Sequence, residues 1–150
     1  MKISGALVAV TALAMLAACD SYPRDIEGVR DRVVESRQLR VGYGSMPGDR
    51  RSLADRFVSR VARVTGARAT KAAEGSDEAL FAALDRGDLD LVVTEVAADS
   101  PWLTEVAVIE PLARRRIGER ELGLSAVARN GENRWIMLLE REVRDMRGAS

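Results

Sequence analysis

Histidine is missing from all 150 residues, which removes Ser-His and Cys-His nucleophile pairs, histidine-based zinc sites and the commonest general base near neutral pH. Cysteine occurs once, as Cys19, so no disulfide closes within the chain and no thiolate metal cluster is available. Neither sign of charge dominates. Lys+Arg and Asp+Glu both number 23, so there is no net positive field to drive counterion release from a nucleic acid. Lysine is nearly absent, confined to Lys2 and Lys71, and arginine carries the positive charge. What is present, 47% hydrophobic and 31% charged residues, describes one soluble domain with a core. With no nucleophile pair, metal set or phosphate loop in view, the sequence reads as a protein without a cofactor and not as an enzyme.

The N-terminus carries an address. Met1-Lys2 precedes an uncharged Ala-, Val- and Leu-rich run from Ile3 to Ala18, too short to span a hydrocarbon layer of about 30 Å comfortably and of the right length for an export signal. The run ends Leu16-Ala17-Ala18-Cys19, which resembles the lipobox of bacterial lipoproteins. The resemblance implies cleavage before Cys19, acylation of that cysteine and attachment to a membrane. It divides the chain into a signal peptide (1–18), a tether (19–24) and one domain (25–150). Asp20, directly after the cysteine, is similar to the inner-membrane retention signal of some bacterial lipoproteins.

Beyond the tether, strands and helices alternate. Ile26, Val29 and Val33 predict an amphipathic helix over 25–37, and Leu39 to Gly44 a strand followed by a loop over 45–49. Ser52 and Asp55 predict a capping box opening a helix whose apolar stripe is Leu53, Phe57, Val61 and Val64, closed at Gly66. A weak strand over 68–73 is followed by a helix capped by Ser76 and closed at Gly87. The continuous apolar run Leu91-Val92-Val93 suits a strand covered on both faces. Further strands are expected over 105–109 and 122–128, and a last helix presents Trp135, Leu138, Leu139, Val143 and Met146. Arg114-Arg115-Arg116, the one dense basic run, could lean on anionic lipid or an acidic partner, but reads first as a solvated loop. The expected fold is α/β, three-layered, with a mostly parallel sheet flanked by helices.

One stretch carries a resemblance. Leu80 to Val93, with its Asp88-Leu89-Asp90 turn into an apolar strand, resembles the helix, glycine and Asp-Leu strand signature of bacterial extracellular solute-binding proteins of the family 3 type. Leu39-Arg40-Val41-Gly42 is similar to that family's first strand, Glu110-Pro111-Leu112 to its exit segment, and Leu124 to Arg129 to its return strand. The resemblance implies one lobe of a type II periplasmic binding protein. Members have a second lobe inserted in the first, for which Ala113 to Glu121 leaves no room. The family's amino-acid binders carry an arginine after the Asp-Leu strand, and no arginine occurs between Arg86 and Arg114, so amino-acid specificity does not carry over.

In open α/β sheets ligands collect beyond the carboxyl ends of the strands, which here nominates Tyr43 and Ser45 after the first strand and Thr94, Glu95, Ser100 and Trp102 after the Asp-Leu strand. Tyr43 and Trp102 are candidates for stacking on a solute, and Ser45, Thr94, Glu95 and Ser100 for hydrogen bonding; equally, Trp102 could cover the sheet edge and Ser100-Pro101 form a turn. The leading expectation is a lipid-anchored, periplasmic solute-binding-like protein serving a membrane transporter. Its alternative is an accessory module that docks a membrane protein or pairs with a second copy. A third reading, an envelope enzyme, rests only on the Glu95 and Asp99 pair.

Overall fold

The computed structural model describes residues 25–149; the expectations placed on the signal, the tether, Cys19 and Asp20 lie outside them. A short helix α1 (Val29–Ser36) enters strand β1 (Gln38–Tyr43), followed by α2 (Gly48–Thr65), β2 (Arg68–Glu74), α3 (Asp77–Asp85) and β3 (Leu91–Ala97). A 3-10 turn (Pro101–Thr104) leads to β4 (Val106–Val108), β5 (Ala113–Ile117), β6 (Arg120–Arg129) and α4 (Asn133–Gly148). The sheet order is β2-β1-β3-β6-β4, with β5 also on β6. The β2-β1-β3 part is parallel, while β6 runs against β3, β4 and β5.

Alternation along the strands assigns the two faces of the sheet. Leu39, Val41, Tyr43, Leu91, Val93, Leu124 and Ala126 pack with Phe57 and Val61 of α2 and with Trp135, Leu139 and Val143 of α4. Val92, Val96 and Val127 face the other way, onto Leu80, Phe81 and Leu84 of α3. The expected three-layer α/β fold is therefore present, with helices on both sides.

Several local expectations give way. Ser52 does not open α2. Pro47, whose fixed φ suits a helix entrance, stands at the N-cap, and the Ser52 hydroxyl donates back to the Gly48 carbonyl at 3.0 Å from inside the helix. The buried stripe falls on Ala54, Phe57, Val58, Val61 and Ala62, leaving Val64 45% exposed. Helix α1 begins only at Val29, because Gly28 adopts a left-handed φ of 66°, and Ile26 is 73% exposed.

Arg114-Arg115-Arg116 is strand, not loop. The chain turns at Gly118 (φ 60°) to join β5 to β6 as a hairpin. β4 and β5 lie end to end along β6. The ladder continues between them through Ile109 N–H to the Ala126 carbonyl (2.9 Å) and Leu112 N–H to the Leu124 carbonyl (2.8 Å). Gly123 permits this course, since a Cβ there would lie 2.6 Å from the Pro111 ring.

Candidate functional site

The carboxyl ends of β1 and β3 meet the N-termini of both α2 and α3, an end of the sheet where helix dipoles and free N–H groups favour polar ligands. Tight backbone packing sets the floor. Gly44 N–H donates to the Val93 carbonyl at 3.0 Å, and a Cβ on Gly44 would fall 1.9 Å from Thr94 Oγ1. Thr94 is buried, and its hydroxyl donates to Asp77 Oδ1 at 2.7 Å. The cap that starts α3, Ser76 accepting from Ala79 N–H, places Asp77 there.

On the α2 face, the Glu95 side chain is 5% exposed and is gripped by Arg115. Arg115 Nε donates to Glu95 Oε1 at 2.7 Å, and Nη2 donates to Oε2. This bidentate fork is the geometry that arginine alone supplies. The pair forms because Arg115 lies opposite Leu122 and Glu95 opposite Leu124, so the arginine reaches diagonally across β6. Its hydrogen bonds to Glu95 hold Arg115 above the ordinary guanidinium range.

A second guanidinium completes the cluster. Arg50, in the first turn of α2, is only 12% exposed and stands 3.9 Å from both Glu95 Oε1 and Asp49 Oδ2. Its Nη2 donates to the Arg114 carbonyl at 3.0 Å, while Nη1 is buried with no hydrogen-bond acceptor. Beside it, the Arg51 guanidinium lies 3.8 Å over the Tyr43 ring and reaches Glu74 at 3.0 Å and Asp55 at 3.4 Å. Burial, reinforced by the neighbouring Asp55 carboxylate, pushes the Tyr43 hydroxyl up to about 12.

The six nominated residues thus divide. Tyr43, Thr94 and Glu95 share the strand-end cluster, with Tyr43 and Thr94 buried, and Ser45 is exposed beside them. Ser100 and Trp102 lie apart. Ser100 Oγ accepts from Trp102 N–H at the start of the 3-10 turn, and Trp102 packs edge-on to Phe81 with ring centroids 5.8 Å apart. That aromatic pair lines a separate cleft of about 410 Å³ with Glu78, Asp85 and Glu105. Asp99 is 71% exposed and stands 3.9 Å from Arg120, while Glu95 is held by Arg115, so the two form no acid and base pair. Among the described residues, no group of three His, Cys, Asp or Glu side chains stands close enough to hold a metal ion, and no helix is long and apolar enough to cross a membrane.

The sequence reading missed Arg50 and Asp77 and placed Arg115 in a loop. Two signals were available: Ser76 fixes Asp77 at the first helical position, and an alternating strand turns the middle of three arginines to the face opposite its neighbours.

Neither a family model nor a curated protein matches this chain. Solved structures do match it. The arginine-bound form of domain 1 from the Thermotoga maritima arginine-binding protein superposes with a TM-score of 0.64 at 14% identity, over 77% of this chain and 98% of that one. An ancestral cationic amino acid solute-binding protein gives 0.64 at 9% identity, over 81% and 95%. The periplasmic domain of BvgS from B. pertussis gives 0.60 at 10%, over 79% of this chain and 42% of that chain. At these identities the likeness establishes the fold, a single lobe of periplasmic binding-protein architecture.

Proposed function

We propose that this chain is a lipid-anchored, periplasmic single-lobe binding protein that captures or senses a small polar solute at the carboxyl ends of β1 and β3, for a membrane transport system. The observation that carries the reading is Arg50 Nη1, a buried cationic N–H without an acceptor. An unmet donor of this kind costs about 1–3 kcal/mol, and an acceptor on a solute would remove that cost. The thermotogal domain supports the reading from outside: a lone lobe of this fold exists in an arginine-bound form, so a second lobe is not required for a solute to be held. The anchor rests on Leu16-Ala17-Ala18-Cys19, and Asp20 favours the inner membrane.

The test is a thermal-shift screen of the mature lipoprotein against amino acids, polyamines, sugars and carboxylates. A solute at about 100 times its Kd adds about 2.7 kcal/mol of stability. A selective shift that disappears in Arg50→Met supports the proposal; a flat screen on folded protein overturns it.

A second reading has its own observation. Glu95 and Thr94 already have partners within the chain, as expected of an accessory module that has lost solute binding and docks a membrane protein or a second copy. Concentration-dependent self-association in sedimentation, unaffected by any solute, would favour it.

A further inference from the structure

The outer face of α4 carries a basic stripe. Arg134, Met137, Arg141 and Arg144 recur at helical spacing and, with Arg30 of α1, line a shallow cleft of about 330 Å³ floored by Leu138. Met137 is 47% exposed at its centre. The carboxylates beside it are Asp31, which bridges Arg30 (3.5 Å) and Arg134 (3.0 Å), and Glu140, 3.9 Å from Arg144. Arg141 contacts Glu142, whose carboxylate is almost wholly buried and already held by Arg60 at 2.6 Å. Four arginines therefore stand against three carboxylates outside the core, Asp31, Glu140 and the partly buried Asp25 beside Arg134, around an exposed apolar side chain.

The described chain begins at this same corner. Arg134 N–H donates to Asp25 Oδ1 at 2.5 Å, and buried Glu132 accepts from Glu27 N–H (2.6 Å) and Val29 N–H (2.9 Å). The segment leading to the anchor is thus clamped to the first turn of α4. From Asp25 back to Cys19 an extended chain reaches at most about 20 Å. The corner also lies at the amino end of β3, since Val127 near the end of β6 pairs with Val92, and the candidate site is at the carboxyl end.

We propose that the arginine face of α4 rests on an anionic phospholipid bilayer, holding the candidate site away from the membrane. This rests on the anchored reading above. One surplus cation near a charged surface, at about 1 kcal/mol, gives a bias on the order of 5-fold, too little to recruit a free protein but enough to orient one already tethered. Arginine stems lying along apolar surface with their heads among phosphates suit the mixed character of the stripe.

The test uses the mature chain with Cys19 acylated, in phosphatidylcholine vesicles with and without phosphatidylglycerol. An environment-sensitive dye is attached at Met137→Cys or, as a reference on α3, at Glu78→Cys. With phosphatidylglycerol present, position 137 is expected to lose access to an aqueous quencher and position 78 to keep it. High salt, or the double variant Arg141→Glu with Arg144→Glu, should restore access while the protein still sediments with the vesicles. Equal access at both positions, or the same protection in neutral vesicles, overturns the assignment of this face. Failure to sediment with either vesicle overturns the anchor itself, and the assignment with it.

Discussion

The two ends of the sheet each bury a carboxylate between arginines, and they finish the arrangement differently. At the amino end, Asp90 is 1% exposed and accepts from Arg40 N–H (2.8 Å), Arg40 Nε (3.1 Å), Arg40 Nη2 (2.7 Å) and Arg32 Nη2 (2.7 Å). Its carbonyl accepts from Trp135 Nε1 at 2.8 Å, which fastens α4 to the same point. At the carboxyl end, Glu95 satisfies Arg115, but Arg50 comes no closer than 3.9 Å to a carboxylate. Arg32 Nε and Arg50 Nη1 both lack acceptors, yet Arg32 is already bonded to a carboxylate and Arg50 is not. The closed network ties together α1, β1, β3 and α4, as a structural clamp does. The open one leaves a donor at the end of the sheet where ligands of this architecture collect.

Breaking the clamp has the largest expected effect. Asp90→Ala removes the acceptor of four hydrogen bonds from Arg32, Arg40 and the Arg40 N–H, each worth about 0.5–1.5 kcal/mol net, measurable as a drop in the chemical-denaturation midpoint. The clamp also has a pH signature. Burial would raise the Asp90 pKa, but hydrogen bonds from Arg40 and Arg32 outweigh it and hold the carboxyl below its ordinary value of 3.8. A lowered folded pKa means stability that is present above the unfolded value and lost as pH falls through the folded one. Denaturation midpoints should therefore decline as pH falls below about 3.8, and Asp90→Asn should flatten that decline.

Next in size is a change at the floor of the open end. In Gly44→Ala the new methyl meets Thr94 Oγ1 and, at 2.5 Å, Thr94 Cβ, so β1 and β3 must part or Thr94 must release Asp77. Overpacking of this kind costs about 1–3 kcal/mol. Loss of stability comparable to Asp90→Ala would mean the two ends are equally integral to the fold, and the contrast between them would fail.

Particular residues explain how much of this was legible in advance. The helix-flanked sheet and the helix faces came through because Leu91-Val92-Val93 and the Phe57, Val61 and Trp135, Leu139, Val143 stripes follow the periods that burial imposes. The start of α2 did not, because Ser52 and Asp55 imitate a cap while Pro47, five residues earlier, provides the entrance. Grouping Tyr43, Thr94 and Glu95 required only the rule about strand ends. Setting Trp102 beside Phe81 depended on the 3-10 turn after Ser100, which a short polar stretch does not announce. Arg50 was out of reach from sequence for a physical reason. Its significance lies in what it fails to touch, and that is a property of packing between α2, β3 and β5.

The smallest expected effect gives the sharpest contrast. Arg40→Met and Arg50→Met remove the same guanidinium from opposite ends of one sheet. At the amino end the substitution deletes two of the side-chain donors on Asp90 and leaves a buried carboxylate with fewer partners, at a cost of about 1–3 kcal/mol. At the carboxyl end it removes one hydrogen bond, from Nη2 to the Arg114 carbonyl, worth about 0.5–1.5 kcal/mol, and with it the unmet Nη1 donor, whose penalty of about 1–3 kcal/mol is relieved, so the two offset and stability should fall little or not at all. Paired denaturation curves in the absence of any solute decide the matter. If Arg50→Met costs as much as Arg40→Met, Arg50 is as structural as Arg40 and its unmet donor does not mark a ligand site. If it costs nothing while abolishing a solute-induced thermal shift, the guanidinium belongs to recognition and not to the fold.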